Sequence, residues 1–372
     1  MTPSRLRQLM LVIILALLGM GTVAVYSASS MASAATYGGS VWFVLHHLLA
    51  IACGIALAIS CLMIPYAQLR RSARWLFLLS VILLVMVFLF GQEVGGAKRW
   101  FRIGRWSLEP SEFAQLSLIM YLADLLARRA EHLQEFWRGL LPPLIATGLM
   151  AALVLIQPDL GTTIVMGAVS LLLLCIGKAR WQHLALIMGV ALTALVFLIA
   201  GEEYRRRRIL AFLDPWADPR GSGYQILQSY FALASGGLAG LGIGASLQKL
   251  YFLPSAHTDF IFAIIGEELG LIGTTAVISL LVLFLICGFR VAVAAHDLFS
   301  KYLVCGLVAM IGLEAMVNIA VVTGLLPTKG LPLPFISYGG SSMVINLVAC
   351  ALIFQVSRHG ERFTPIESAL GR

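Results

Sequence analysis

Long apolar stretches separated by short polar connections make up most of this chain. An α-helix needs about 20 consecutive apolar residues to cross a bilayer core. Ten segments approach that pattern, namely residues 9–28, 41–64, 75–92, 111–127, 139–157, 160–177, 183–200, 260–289, 302–326 and 336–357. They are too long and unbroken for barrel strands, so the pattern predicts an all-α integral membrane protein, a polytopic bundle of about ten transmembrane helices.

The composition supports the same class. Hydrophobic residues make up 60% of the chain and charged residues 12%, whereas a soluble domain carries about 25% charged residues. No linker-like stretch divides the chain, so we expect one transmembrane domain over residues 1–372. The net charge is +8, but no basic run forms a soluble domain. Anionic lipid or an anionic substrate therefore explains the charge better than nucleic acid.

The distribution of Lys and Arg predicts how the chain is oriented. The two termini and the even-numbered connections all carry cations, whereas the cations of the odd-numbered connections are confined to three segments. Cytoplasmic loops are enriched in Lys and Arg, and short loops count most. We therefore expect both termini in the cytoplasm and a large extracytoplasmic loop, residues 201–259, between spans seven and eight.

That loop is longer than most connections in a compact fold, which favours a functional role or disorder. Its aromatic content argues against disorder, and Gln225–Leu233 is predicted to form an amphipathic interfacial helix. The glycine-dense segment 235–246 lacks the strand-turn-helix setting of a dinucleotide site, so we interpret it as turns and close packing.

The start of span eight gathers ionisable residues at a membrane boundary, within the sequence PSAHTDFIFAIIGEELG (254–270). Such groups are costly near a bilayer and usually serve a function. Asp259 is the first candidate for chemistry. A plain helix N-cap would also explain an aspartate there, and the two roles are compatible because a helix N-terminus favours the carboxylate form.

Several other polar segments are predicted on the same face. They are PSE (110–112), QPD (157–159), DPWADPRGSGYQ (214–225), PTKG (327–330) and PFISYGGSS (334–342). Each segment alone is typical of turns and helix caps. Together with Asp259 they favour a site.

These motifs carry a specific resemblance. GAKRW (96–100), PSE, QPDLGT (157–162), DPWADPRGSGYQ, LPSAHTDFIFAIIGEELG (253–270) and PTKGLPLPFISYGGSS (327–342) run through most of the chain in one order. In these stretches the chain resembles the SEDS family of bacterial membrane glycosyltransferases, the shape, elongation, division and sporulation proteins. PTKG is similar to the division branch or its sporulation relative, whereas the short N-terminus is similar to the elongation branch.

The resemblance implies polymerisation of lipid II into glycan strands on the outer face of the cytoplasmic membrane, during septal cell-wall synthesis if the chain is of the division type. An α-linked donor and a β-linked product imply inversion at the anomeric carbon. Direct displacement can then use a single carboxylate base, unlike inverting hydrolases with their carboxyl pair. We expect Asp259, the match for the family's essential loop aspartate, to be that base.

Positive charge is needed near the pyrophosphate leaving group, and arginine suits phosphate. Lys98, Arg99, Arg102, Arg105 and Arg205 to Arg208 are candidates, although anchoring to lipid headgroups would also hold them at the interface. The residues expected to contact substrate are Lys98, Arg99, Arg205, Arg206, Ser222, Tyr224, Gln225, His257, Thr258, Lys329, Ser337 and Ser341.

The remaining acidic side chains favour structural roles. We expect Glu267 or Glu268 to pair with a cation inside the bundle, such as Lys329, and Glu112 to pair with Lys98 or Arg99. A cap explains Asp159. Glu314 and Asn318 lie on one face of span nine and must face protein or water, and neither is placed in the catalytic set.

No His, Cys or carboxylate cluster has the spacing of a metal site, and all six cysteines fall in apolar runs. No cofactor is required, although a divalent cation (Mg²⁺ or Mn²⁺) can bridge a substrate pyrophosphate. The resemblance also implies a single-span class B penicillin-binding protein as partner, alongside other division proteins and membrane lipid.

Three alternatives stay open from the sequence: a flippase for lipid II, an elongation-type polymerase, and a scaffold that recruits other division proteins. Broken helices and intramembrane polar residues suit a transporter, but the strongest polar cluster lies on one face.

Overall fold

The structure is a computed structural model that describes residues 3–37, 39–94, 97–103, 106–250 and 252–370. Gly96 and Arg105, both named above, lie outside the described residues. The α-helices of the described residues are α1 Pro3–Tyr37, α2 Trp42–Met63, α3 Tyr66–Phe90, α4 Pro110–Arg128, α5 Leu141–Ile156, α6 Leu160–Ile176, α7 Trp181–Ala200, α8 Glu203–Leu213, α9 Tyr224–Gly236, α10 Ile261–Val293, α11 Leu298–Val322 and α12 Gly340–Leu370.

Every predicted span overlaps one of these helices. In the described part of the chain, eight helices are long and apolar enough to cross a membrane, and α6 is a shorter apolar helix. The predicted spans 111–127 and 160–177 correspond to α4 and α6. Both helices are largely buried among their neighbours, and protein contact allows them to be less apolar or shorter than a lipid-facing helix.

The bundle is organised around α4 and α11. The α11 helix packs against α4, α6, α10 and α12, while α1 packs on α10 and α2 packs on α12. By contrast, α7 buries none of its residues, and the helices that it packs against most are α6 and α8. The interior is therefore formed largely by α4, α10, α11 and α12, and three of the polar segments singled out above, PSE, PTKG and PFISYGGSS, lie at the ends of these helices.

A small sheet joins α3 to α4, which the helical prediction did not include. Strands β1 Gln92–Val94, β2 Ala97–Ile103 and β3 Trp106–Leu108 pair antiparallel in the order β1-β2-β3. Trp100 lies opposite Gln92, and Phe101 lies opposite Leu108. The expectation for this connection rests on its charges alone. The sequence of β2, AKRWFRI, does not alternate regularly between polar and apolar residues, so periodicity gives no clear strand signal there.

Two helices form within the long connection 201–259. The predicted helix at 225–233 is present as α9, and α9 packs on α10 and α11. Ile226, Leu227 and Ala232 are buried, and the Ser229 hydroxyl donates to the carbonyl of Val322 over 2.7 Å. The connection is thus fixed to the bundle.

The glycine-dense segment packs against a break in α10. Gly270 has φ 65° and ψ −158°, which interrupts the helix. The amides of Leu241 and Gly242 donate to the carbonyls of Glu267 and Glu268, each over 3.0 Å. On the other side of the break, the amides of residues 271 and 272 donate to the carbonyls of residues 237 and 238. Residues 237–242 therefore satisfy backbone groups that the broken helix leaves open.

Gly240→Ala is expected to destabilise the protein more than Gly237→Ala. Both glycines have positive φ, but a Cβ at Gly240 would lie 2.1 Å from the Glu268 carbonyl oxygen, whereas a Cβ at Gly237 would meet nothing within 4 Å. Backbone strain should cost about 1–2 kcal/mol in both variants, and overpacking adds about 1–3 kcal/mol at Gly240 only. Thermal unfolding in detergent measures the difference, and equal melting temperatures would contradict the proposed packing.

Candidate functional site

Two loops meet where α10 begins, and one side chain from α11 joins them. The Asn318 amide nitrogen donates to the carbonyl of Asp259 over 2.8 Å and to the carbonyl of Leu331 over 2.7 Å. Asn318 is buried. The backbone of Asp259 is therefore held against the loop 327–339 from within the bundle.

Ser337 and Tyr338 add further links between these loops. The Ser337 hydroxyl donates to the Thr258 carbonyl over 2.6 Å and accepts from the Leu333 amide over 2.8 Å. The Tyr338 amide donates to the His257 carbonyl over 3.0 Å. Ser337 is buried, so its contacts position the loops. The Thr258 hydroxyl donates to the Ser255 carbonyl within its own turn.

His257 lies among aromatic rings. Its ring centre is 4.6 Å from that of Phe43 and 5.7 Å from that of Tyr338. Burial lowers the pKa of His257 to about 4, so the imidazole is neutral at pH 7. A neutral ring in this setting supports the loop by packing and supplies no positive charge to the site.

The Asp259 carboxyl group is largely withdrawn from water. Burial raises its pKa to about 6, and the positive charge of Arg208 lowers it. Gly330 lies directly beside this carboxylate, because a Cβ built on Gly330 would be 3.1 Å from Oδ2 of Asp259. Asp259 is thus a carboxylate of raised basicity that still ionises at neutral pH.

Gly330 also lines a cavity of about 380 Å³, so the carboxylate adjoins this cavity. The polar part of the wall includes Arg99, Arg205, Arg208, Lys329 and Asp159. The apolar part includes Ile164, Leu195, Ile199, Ile209, Val317 and Leu326. We call this space the cationic cavity. A wall with both cationic and apolar side chains fits a ligand with an anionic head and a hydrocarbon chain.

Two arginines of helix α8 line the cationic cavity. Arg205 and Arg208 are three residues apart and line it together, as expected for one helix face. Arg207 instead pairs with Glu203 on the exposed face, over 2.5 Å. Arg206, expected to contact substrate, is exposed and is not part of the wall, whereas Arg208 takes that place.

The other cations of the wall have distinct partners. Arg99 donates to the carbonyls of Gln157 and Pro158, over 2.6 and 2.5 Å. Burial lowers the pKa of Lys329 to about 8, Asp159 raises it and Arg208 lowers it. Asp159 caps α6, accepting from the Thr162 amide over 3.2 Å and from its hydroxyl over 2.8 Å. The cap interpretation of Asp159 agrees with this geometry.

The remaining residues expected to bind substrate lie apart from the cationic cavity. Ser222 donates to Asp218 in an exposed turn, and Tyr224 and Gln225 begin α9. Lys98 is exposed on β2. Ser341 accepts from the Glu109 amide over 2.9 Å and donates to the Ser107 carbonyl over 3.3 Å, which ties β3 to α12.

Comparison with known proteins agrees with this architecture. The family profile described as Cell cycle protein, which covers FtsW, RodA and SpoVE, matches residues 7–362. The chain belongs to this family.

Relatives within the family match over nearly their whole length. A probable peptidoglycan glycosyltransferase FtsW of Geobacter metallireducens is 41% identical, with 93% of each chain covered. Stage V sporulation protein E of Bacillus subtilis is 38% identical, with 94% of this chain and 96% of the relative covered.

Two solved structures share the fold. The chain in a structure entitled "Structural coordination of polymerization and crosslinking by a peptidoglycan synthase complex" superposes with a TM-score of 0.78 and is 31% identical, with 94% of this chain and 96% of that chain covered. The rod shape determining protein RodA of Thermus thermophilus superposes with a TM-score of 0.68 and is 26% identical, with 94% and 95% covered. The polytopic helical fold is thus that of the FtsW/RodA/SpoVE family.

In this family member, the two glutamates of α10 have structural partners. Glu268 forms an ion pair with Lys249 over 2.9 Å and accepts from Ser27 over 2.5 Å. Glu267 accepts hydrogen bonds from Ser246 and from the Leu247 amide. The cation that pairs with Glu268 is Lys249, and the suggestion of Lys329 was wrong because Lys329 lines the cationic cavity.

Glu112 also differs from the sequence expectation. Its side chain is hydrogen-bonded to Ser342, and among the described residues no lysine or arginine lies within ion-pair distance of it. Arg99, one of its two expected partners, is occupied by the carbonyls of the turn before α6. Glu112 therefore joins α4 to α12.

Asn318 is the positioning residue that the sequence analysis left outside the site. The sequence contains a signal for a structural or functional role of Asn318, since a polar residue inside a span must face protein or water. The sequence shows that Asn318 shares a helix face with Glu314, but not which loop that face meets. In the structure Glu314 accepts from Gln115 over 2.9 Å, and only Asn318 reaches the Asp259 loop.

Proposed function

We propose that this chain is a peptidoglycan glycosyltransferase that polymerises lipid II, with Asp259 as the general base. The observation that carries the proposal is the Asp259 carboxylate beside a cavity whose wall contains both cationic and apolar side chains. Family membership, and relatives named as peptidoglycan glycosyltransferases, support the reaction class.

The cationic cavity matches the chemistry of a polyprenyl pyrophosphate donor. Its apolar wall suits the isoprenoid chain, and its arginines suit bidentate contact with phosphate oxygens. Among the cations of the wall, Lys329 directly precedes Gly330 in the chain, and Gly330 is the residue beside which the Asp259 carboxylate lies. The pyrophosphate would therefore lie on the cationic side, with the anomeric carbon directed towards Asp259.

The proposed step is a single displacement. Asp259 removes the proton from the acceptor hydroxyl, whose oxygen forms a bond to the anomeric carbon as the bond from that carbon to the pyrophosphate oxygen breaks. Configuration at carbon inverts, and the cations stabilise the negative charge that develops on the leaving pyrophosphate. The proton ends on Asp259 and leaves to solvent before the next addition.

The described residues contain no group of three or more His, Cys, Asp or Glu side chains that could hold a metal ion. Asp159 is the carboxylate in the wall of the cationic cavity, and it already caps α6. A divalent cation taking part in this reaction would therefore be held mainly by the substrate pyrophosphate, as Mg²⁺ commonly is.

We expect a bell-shaped pH dependence of polymerisation. Asp259 must be deprotonated to act as base, so activity should rise with pH through about 6, the raised pKa of its carboxyl group. Lys329 must be protonated to stabilise the pyrophosphate, so activity should fall as pH rises through about 8, the lowered pKa of its amine. Initial rates measured with labelled lipid II between pH 5 and 9.5, roughly, test both limbs.

Two variants test which residue causes each limb of the pH profile. Lys329→Arg should remove the falling limb, because a guanidinium stays charged over this range. Arg208→Gln should move both limbs to higher pH, because the charge of Arg208 lowers the pKa of the Asp259 carboxyl group and that of the Lys329 amine. Arg207→Gln, on the exposed face of α8, is the matched control and should leave both limbs in place. A falling limb unchanged in Lys329→Arg would remove Lys329 from this role.

The branch and the setting are part of the proposal. Similarity to relatives named FtsW favours the division type, which would place the chain at the septum of the cytoplasmic membrane with both termini inside and Asp259 at the outer face. The synthase complex with the same fold couples polymerization to crosslinking, which supports a class B penicillin-binding protein as partner.

A polymerisation assay separates the enzyme from a flippase. Purified protein is mixed with labelled lipid II in detergent, where no bilayer exists to flip across, with and without the partner. Glycan strands that form in detergent support the polymerase. Lipid II movement in proteoliposomes, with no glycan made under either condition, would favour the transporter and contradict the proposal.

A further inference from the structure

A second polar cavity lies at the end of the bundle opposite Asp259. Helix α4 starts next to the cationic cavity, since Glu109 lies close enough to Asp159 for their charges to interact, and it runs about 28 Å from there. The first turns of α3 and the end of α4 enclose a cavity of about 690 Å³. Its wall is formed by Tyr66, Ala67, Arg70, Arg71, Arg74, Trp75, Leu78, Asp124 and Arg128.

The charges in this wall do not balance. It contains four arginines and a single carboxylate, Asp124. Asp124 is paired with Arg70 over 3.0 Å and with Arg128 over 2.8 Å, and Arg74 lies 3.9 Å away. Asp124 can neutralise one of the four positive charges, and Asp297, which accepts from Tyr66 beside the wall, interacts with the charge of Arg70. A net charge of about +2 therefore remains around the cavity, and a bound anion would relieve the repulsion between the arginines.

Part of the cluster is already fixed in place and part is open. Arg70 lies over the ring of Phe299 at 5.5 Å and uses its Nε on Asp124. Asp124 itself is buried. Arg71 and Arg74 are exposed, and among the described residues Arg71 has no ion-pair partner. Arg70 and Arg128 are held by the buried Asp124, and the two exposed guanidinium groups of Arg71 and Arg74 are available to bind an anion beside them.

The cavity opens onto the lipid-facing side of α3. Trp75 is 74% exposed and Leu78 is 50% exposed, and Ile82, one turn further, is 54% exposed. Tryptophan beside a row of apolar residues is typical of the boundary between headgroups and hydrocarbon. An anion bound here would therefore have apolar chains available to it along α3.

We propose that this cavity binds the phosphate group of an anionic phospholipid. Arginine clusters between helices at a membrane surface recognise such headgroups, and arginine binds phosphate oxygens in pairs. The acyl chains would follow the exposed apolar face of α3, past Leu78 and Ile82. A free phosphate ion presents the same oxygens without the chains, so the two sources can be told apart.

The test measures lipid binding to the full purified chain by native mass spectrometry in detergent. Phosphatidylglycerol, phosphatidylcholine and inorganic phosphate are titrated separately, and then phosphatidylglycerol against excess phosphate. Phosphatidylglycerol should bind tighter than phosphatidylcholine. The double variant Arg71→Gln/Arg74→Gln should lose about tenfold or more in phosphatidylglycerol affinity, since each basic residue near a lipid surface contributes on the order of fivefold.

The matched control is Lys178→Gln/Arg180→Gln, which removes the same charge at the same end of the bundle, where α6 ends and α7 begins. It should keep wild-type affinity. Both double variants leave the Asp124 pairs with Arg70 and Arg128 intact, and equal melting temperatures would show that both are folded. If both double variants lost phosphatidylglycerol affinity equally, the effect would come from overall charge, and this result would overturn the proposed site. Complete displacement by inorganic phosphate would overturn the lipid as occupant.

Discussion

Replacing Asp259 with asparagine is expected to lower the rate of glycan polymerisation by a factor of about 10² to 10⁴, the usual contribution of a general base. The amide keeps the size of the side chain but cannot accept the proton from the acceptor hydroxyl. Because the backbone carbonyl of Asp259 accepts the bond from Asn318, the loop should keep its position. Initial rates with labelled lipid II measure the effect, and the melting temperature checks the fold.

Glu203→Gln is the matched control, because it makes the same carboxylate-to-amide change within the same connection. The Glu203 side chain is 67% exposed and pairs with Arg207 at the surface, an interaction worth little. Its variant should polymerise at the wild-type rate. Full activity in Asp259→Asn would rule out the proposed base, and equal losses in both variants would point to a general effect of charge.

Asn318→Leu is expected to reduce both stability and activity. Leucine fills a similar volume but leaves the carbonyls of Asp259 and Leu331 without their shared donor. Each buried group left unpaired costs about 1–3 kcal/mol, so a loss of roughly 2–6 kcal/mol is expected. A shift of about 1 Å in the Asp259 loop would lower the rate by about 10²-fold. Thermal unfolding and polymerisation rates test the two effects separately.

Met316→Leu on the same helix provides the comparison. Met316 is 57% exposed on the outer face of α11, so its replacement should change neither quantity. If Asn318→Leu kept wild-type activity while losing stability, the residue would hold the bundle together without positioning the carboxylate. If it lost neither, the two hydrogen bonds would have no role.

The helices could be predicted because a bilayer imposes a simple rule on sequence. A span facing lipid must be apolar over nearly its whole length, and α2 and α7, which contain no Asp, Glu, Lys or Arg, show this plainly. The same rule is weak for α4 and α6, since helices surrounded by protein can carry polar residues. The bilayer rule says nothing about the sheet β1-β2-β3, because its strands are too short to span a membrane.

The candidate site could be predicted in part. Asp259 and Lys329 stand out as charges at the ends of apolar runs. Lys329 lines the cationic cavity, and the Asp259 carboxylate lies beside Gly330 in its wall. Arg208 lines the cationic cavity and Arg206 does not, and the sequence could not show this, because a polar connection has no apolar stripe that fixes which face of α8 turns inward. Lys249 as the partner of Glu268 could not be predicted either, since that pair depends on how residues 237–248 fold back onto α10.

The hydrogen-bonded break in α10 at Gly270 has a mechanical consequence. Hydrogen bonds reach it from residues 237–242 on both sides, so the two parts of α10 are locked at a fixed angle to one another. Asp259 directly precedes the shorter part, while residues 271–293 form the longer part that crosses the hydrocarbon. Tilting of that longer part would move the Asp259 carboxylate with it, so the position of the proposed base would depend on bilayer thickness.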